Sequence, residues 1–139
     1  MRIVLDTNIL ISALITKDTP PDRLYRAWLR NDVELVTSEA QIAEVRDVLA
    51  RPRLRGYIDP EEADRLIAAI RLSAVVLGDV PALRRSPDPK DDFLLAAAVA
   101  GNVDLVVSGD KNDLLALGQV EGIPIRTARE ALSLVARDG

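Results

Sequence analysis

The chain has 139 residues, 48% of them hydrophobic, which suits one domain with a sizeable core. Its 18 basic and 22 acidic side chains give a formal net charge of −4, which argues against a protein that coats nucleic acid through its overall field. With neither His nor Cys, imidazole acid–base catalysis, thiolate chemistry and His- or Cys-ligated zinc are excluded, leaving oxygen ligands and a hard cation such as Mg²⁺ or Mn²⁺.

In chain order, Ile3-Val4-Leu5 is a short apolar run rich in β-branched residues and predicts a buried central strand that ends at Asp6-Thr7-Asn8. Residues 9–15 predict a helix, and Pro20-Pro21-Asp22 starts another in which Leu24, Ala27 and Trp28 fall at helical spacing. A second strand is expected over 33–37. Ser38 followed by Gln41 is a capping box that opens a helix with Ile42, Val45 and Leu49 on its apolar face, and Pro52 stops it. Asp59-Pro60-Glu61-Glu62 combines an N-cap, a first-turn proline and first-turn acids, so a helix follows with Ala63, Leu66, Ile67 and Ile70 on one face.

Residues 74–77 predict a third strand, and 78–90, with three prolines, a surface loop. Asp91 or Asp92 caps a helix that ends at Gly101. A strand over 103–107, a short helix over 110–117 and a strand over 123–125 come next. Thr127 with Glu130 caps a last helix running towards Ala136. Strands separated by helices imply an α/β fold, a three-layer α/β/α sandwich around a mostly parallel five-stranded sheet, built as a single domain over 1–139.

In such a sheet, ligands bind beyond the carboxyl ends of the strands, where strand order reverses. Asp6 and Asp110 both follow predicted strands, Asp91 and Asp92 open a helix whose dipole favours a carboxylate, and Glu44 sits at the margin of an apolar helical stripe. Acids crowded together either protonate in part or bind a cation, and the cation is the productive outcome. Singly, each has a plainer reading. Asp6 suits a turn or Asx cap, Asp92 an N-cap, and Glu44 a solvated helix face.

Ile3-Val4-Leu5-Asp6-Thr7-Asn8, Glu44 in a capped helix, Asp92-Phe93-Leu94-Leu95-Ala96-Ala97 and Val106-Val107-Ser108-Gly109-Asp110-Lys111 resemble, in order and spacing, the motifs of PIN-domain nucleases. The resemblance covers nearly the whole chain. It implies a metal-dependent endoribonuclease that cuts single-stranded or looped RNA through a metal-activated water, leaving a 5′-phosphate and a 3′-hydroxyl. It makes Asp6, Glu44, Asp92 and Asp110 the catalytic carboxylates that bind Mg²⁺ or Mn²⁺, with Asn8 and Ser108 as helpers and Asp91 as the alternative to Asp92. Asp113 follows one residue more than the common form has and is given no direct role.

Small members of this type resemble VapC-like toxins of prokaryotic toxin–antitoxin pairs, which implies a cognate antitoxin and a homodimer. A housekeeping RNA-processing nuclease would use the same site. A receiver-like signalling module would need paired acids after the first strand, where Asp6 stands alone, and a silent RNA-binding scaffold would lack one or more of the acids. Arg46, Arg51, Arg53 and Arg55 read as a solvated basic face or as phosphate contacts, and Trp28 as core. No apolar run approaches the ~20 residues that span a bilayer, so a cytoplasmic protein is expected.

Overall fold

A computed structural model describes residues 1–80 and 91–138. The predicted loop therefore lies outside the described residues from 81 to 90. Six strands, β1 (Arg2–Leu5), β2 (Glu34–Ser38), β3 (Val75–Leu77), β4 (Leu105–Val107), β5 (Gln119–Val120) and β6 (Ile123–Arg126), form one sheet in the order β3-β2-β1-β4-β6-β5. Every pairing is parallel except β5 with β6.

Among the described residues the sheet has six strands rather than the five expected. The addition, β5, is only two residues long and turns back through Glu121 and Gly122, both at positive φ (49° and 81°). Two residues are too few to show a period of two, and the turn carries Glu where Asn or Asp would advertise a hairpin.

The central strands β1, β2 and β4 are largely buried on both faces, and their side chains alternate between two cores. Ile3, Leu5, Leu35, Leu105 and Val107 pack with α1 (Thr7–Ile15), α2 (Pro20–Leu29), α3 (Glu39–Leu49), α4 (Pro60–Ser73) and α7 (Ala128–Asp138). Val4, Val36, Val106 and Ile125 pack on the other side with α5 (Asp92–Ala100) and α6 (Leu114–Leu117). This is the three-layer α/β/α arrangement. Gly101 ends α5 against β2, where a Cβ would lie 2.7 Å from Val36 Cγ1, so close packing of helix on sheet needs glycine there. Trp28 is core, 1% exposed and tilted against Tyr25.

Local signals set most helix starts. Asp59 caps α4 by accepting from the Glu61 N–H. Thr127 and Glu130 form a complete capping box at α7, each side chain accepting from the other's backbone N–H. The box expected at Ser38 is only half made. Ser38 Oγ accepts from the Gln41 N–H (3.2 Å), but the Gln41 side chain turns to the sheet instead. The helix expected over 110–117 starts at Leu114, because residues 111–113 form a turn. Among the described residues no helix is long and apolar enough to cross a membrane.

Candidate metal centre

β1 has β2 on one side and β4 on the other, so strand order reverses between β1 and β4 and a crevice opens beyond their carboxyl ends. Asp6 follows β1 directly, and its N–H extends the ladder to the Val107 carbonyl (2.9 Å). It is also the N-cap of α1, so this candidate site residue caps a helix as well. Oδ1 accepts from the Asn8 N–H at 3.4 Å, and Oδ2 accepts from Ser108 Oγ at 2.8 Å. Ser108, fully buried after β4, accepts in turn from the Asp110 N–H at 3.0 Å. One hydroxyl thus ties the two strand ends together.

Asp6 is 8% exposed. Burial pushes its carboxyl pKa above the usual aspartate range and the negative charge of Asp110 pushes the same way, against the hydrogen bonds from Ser108 and from the Asn8 and Thr7 backbone. Beside it, the Thr7 hydroxyl is buried without a hydrogen-bond partner among the described residues.

The Asp110 carboxylate accepts from the N–H groups of Asn112 (3.2 Å) and Asp113 (3.1 Å), an Asx-type turn that curls the chain back on itself. The curl returns Asp113 to Asp110. With Asp91 they form a group of three half-buried carboxylates whose oxygens all lie within 4.8 Å of one another. Asp91 takes the N-cap position of α5 without a side-chain capping bond, while Asp92 begins the helix outside the group of three. The sequence favours Asp92 over Asp91 and passes over Asp113. The only available signal was an acid three residues after Asp110, where an Asx turn brings the chain back.

Glu44 also lies outside that group; it is half-buried on α3, which packs on both α1 and α5. Three residues before it, buried Gln41 donates its Nε2–H to the Leu5 carbonyl at 2.6 Å and accepts from the Thr37 hydroxyl. The turn of α3 that precedes Glu44 is thereby fastened to the end of β1. Asn8 is exposed, and its backbone N–H donates to Asp6.

Close carboxylate oxygens, with a buried Asp6 coupled to them through Ser108, make a hard all-oxygen donor set that fits Mg²⁺ or Mn²⁺ better than a soft metal. A sequence model of the PIN domain matches residues 2–112. The chain belongs to the PIN-domain family. PIN domains are nucleases and generally use divalent cations, and an acidic cluster stands at the corresponding edge of this sheet. Among individual proteins, this PIN-domain chain is 25% identical over 118 residues to the uncharacterised protein MJ1680 of Methanocaldococcus jannaschii, across 84% of this chain and 75% of that one. Two solved structures share its fold. FitAcB from Neisseria gonorrhoeae aligns with a TM-score of 0.55 at 15% identity, over 91% of this chain and 98% of that one. FitAB bound to an IR36 DNA fragment gives 0.56 at 17% identity, over 91% and 94%.

Proposed function

We propose that this PIN domain is a divalent-cation-dependent endoribonuclease acting on single-stranded or looped RNA, and that it serves as the toxin of a type II toxin–antitoxin pair. The observation that carries the proposal is the gathering of Asp110, Asp91 and Asp113 beside the Ser108-linked Asp6 at the switch point of the sheet. Asp6, Asp110 and the acid at the start of α5 would hold Mg²⁺ or Mn²⁺, with Glu44 reaching in from α3. A hard cation supplies Lewis acidity that activates a water for attack on phosphorus and offsets charge on the leaving oxygen.

The remaining work falls to the chain. Ser108 fixes the rotamer of Asp6 by donating to Oδ2, and the Asn8 N–H fixes Oδ1. The Asx turn holds the Asp110 carboxylate. Gln41 sets the height of α3 over the crevice. Cleavage would leave a 5′-phosphate and a 3′-hydroxyl, the balance expected when water attacks phosphorus and the 3′-oxygen leaves. The likeness to FitAB, one structure of which is bound to DNA, agrees with a partner antitoxin that binds DNA. A cytoplasmic homodimer built from one nuclease domain per chain completes the proposal.

Incubating the protein with defined single-stranded RNAs and Mg²⁺, Mn²⁺ or EDTA tests it. Cleavage should require metal and should vanish in Asp6→Asn and Asp110→Asn. Metal-independent cutting, or wild-type rates in Asp110→Asn, would overturn it.

A further inference from the structure

The last turns of α3 and the segment leading to α4 carry Arg46, Arg51, Arg53 and Arg55, all exposed. Among the described residues none of the four has a carboxylate within ion-pair distance, whereas Arg2, Arg26, Arg30, Arg65 and Arg71 are each paired. No acid lies between residues 48 and 58, on a chain whose formal net charge is −4. The four guanidinium groups are thus without a short ion pair among the described residues and set against an acidic background, with Glu39 within the field of Arg46 and Asp64 lining the same cleft as Arg46 and Arg55. Concentrating four guanidinium groups costs self-repulsion, which a polyanion relieves.

Arg46 and Arg55 line one cleft of about 630 Å³ between α3 and α4, floored by Leu49, Leu54, Ile58 and Ile67. Tyr57, in the same turn as Arg55, is 68% exposed and is the one large aromatic side chain left in solvent among the described residues. Cations in fork geometry, an apolar floor and an aromatic face are what a single strand needs for its phosphates and bases. Leu49 ends α3 five residues after Glu44, about 7.5 Å along the helix axis, and Arg51 follows just beyond the helix end. A strand bound at the carboxylates can therefore run along α3 onto the patch.

We infer that Arg46, Arg51, Arg53 and Arg55 with Tyr57 form a phosphate-tracking exosite for the single-stranded RNA that flanks the cleaved bond. The inference rests on the nuclease proposal for its purpose but on separate residues for its test. RNA length, rather than base sequence, sets the contribution of this surface.

Fluorescence anisotropy of a labelled 12-nucleotide RNA, with Asp6→Asn as the uncut background, tests it across a salt series. Each lost phosphate contact removes ~0.7 from the slope of log affinity against log salt on a single strand, so Arg51→Ala/Arg53→Ala/Arg55→Ala should lower the slope by about 2. The triple Arg→Lys variant should keep the slope, and a trinucleotide should bind all three proteins alike. An unchanged slope in the triple alanine variant overturns the exosite, even where the wild-type chain cuts RNA. A reduced slope in a chain that cuts no RNA supports the exosite and refutes the nuclease proposal instead. An unchanged RNA slope with lost binding to a polyglutamate peptide would give the patch to a protein partner, and the inference would be overturned.

Discussion

Removing the Gln41 side chain exposes how firmly α3 is seated on the sheet. Gln41 is 2% exposed; it gives its amide N–H to the Leu5 carbonyl and takes the Thr37 hydroxyl, and those two residues are 0% and 1% exposed. In Gln41→Leu the volume is nearly kept, but a carbonyl and a hydroxyl lose their partners where water has no ready access. Each such loss costs about 1–3 kcal/mol, so a total near 3 kcal/mol is expected. Gln41→Ala should cost about as much again as a small cavity adds. With an unfolding entropy of ~2.1 cal/mol/K per residue over this chain, 3 kcal/mol lowers Tm by roughly 10 K. Urea titration of the metal-free protein measures it directly. If both variants melt within about 0.5 kcal/mol of wild type, a value usual for uninvolved surface positions, the polar peg is not holding the helix. Because Glu44 is the next turn of α3, Gln41→Leu should also weaken the Mn²⁺-dependent rise in Tm.

Asp6→Asn should raise the Tm of the metal-free protein at neutral pH. The folded pKa of Asp6 lies above its unfolded value, so the ionised carboxylate opposes folding at neutral pH, and that penalty fades as pH falls through the raised value towards the ordinary one. The advantage of the variant should thus shrink towards pH 4; an advantage that is constant with pH would contradict the sign. Millimolar Mn²⁺ should stabilise the wild-type chain by mass action, about 2.7 kcal/mol at a hundred times Kd. Asp91→Asn should lose more of that shift in differential scanning fluorimetry than Asp92→Asn, and the reverse order would move the ligand to Asp92. Gly101→Ala, whose φ of −82° suits any residue, should cost about 1–3 kcal/mol by steric pressure on Val36 and the Ala97 carbonyl, read from the urea midpoint.

Features encoded within a few residues were legible. The proline and acids around Asp59 announce α4, Thr127 with Glu130 announces α7, and β-branched runs announce β1, β2 and β4, because each signal is satisfied by its own neighbours. Ser38 with Gln41 shows where this ends. The same two residue types that spell a capping box can be outbid by a distant acceptor, here Leu5, 36 residues away. The site divides along the same line. Asp6 and Asp110 are candidates by the strand ends they follow, and Ser108 by its position in the motif that resembles the family. The positions of Asp91 and Asp113 depend on the handedness of an Asx turn and on how α5 enters the crevice, which spacing alone does not encode.

The outermost strands, β3 and β5, are three and two residues long, and β5 runs against the grain of the rest. Each therefore presents too short a row of backbone donors and acceptors for another chain to add on as a further strand. The homodimer proposed above would form instead through side chains on helical faces. A homodimer of the kind proposed could then be dissolved or redesigned by surface substitution while the sheet, and the crevice it positions, stays whole.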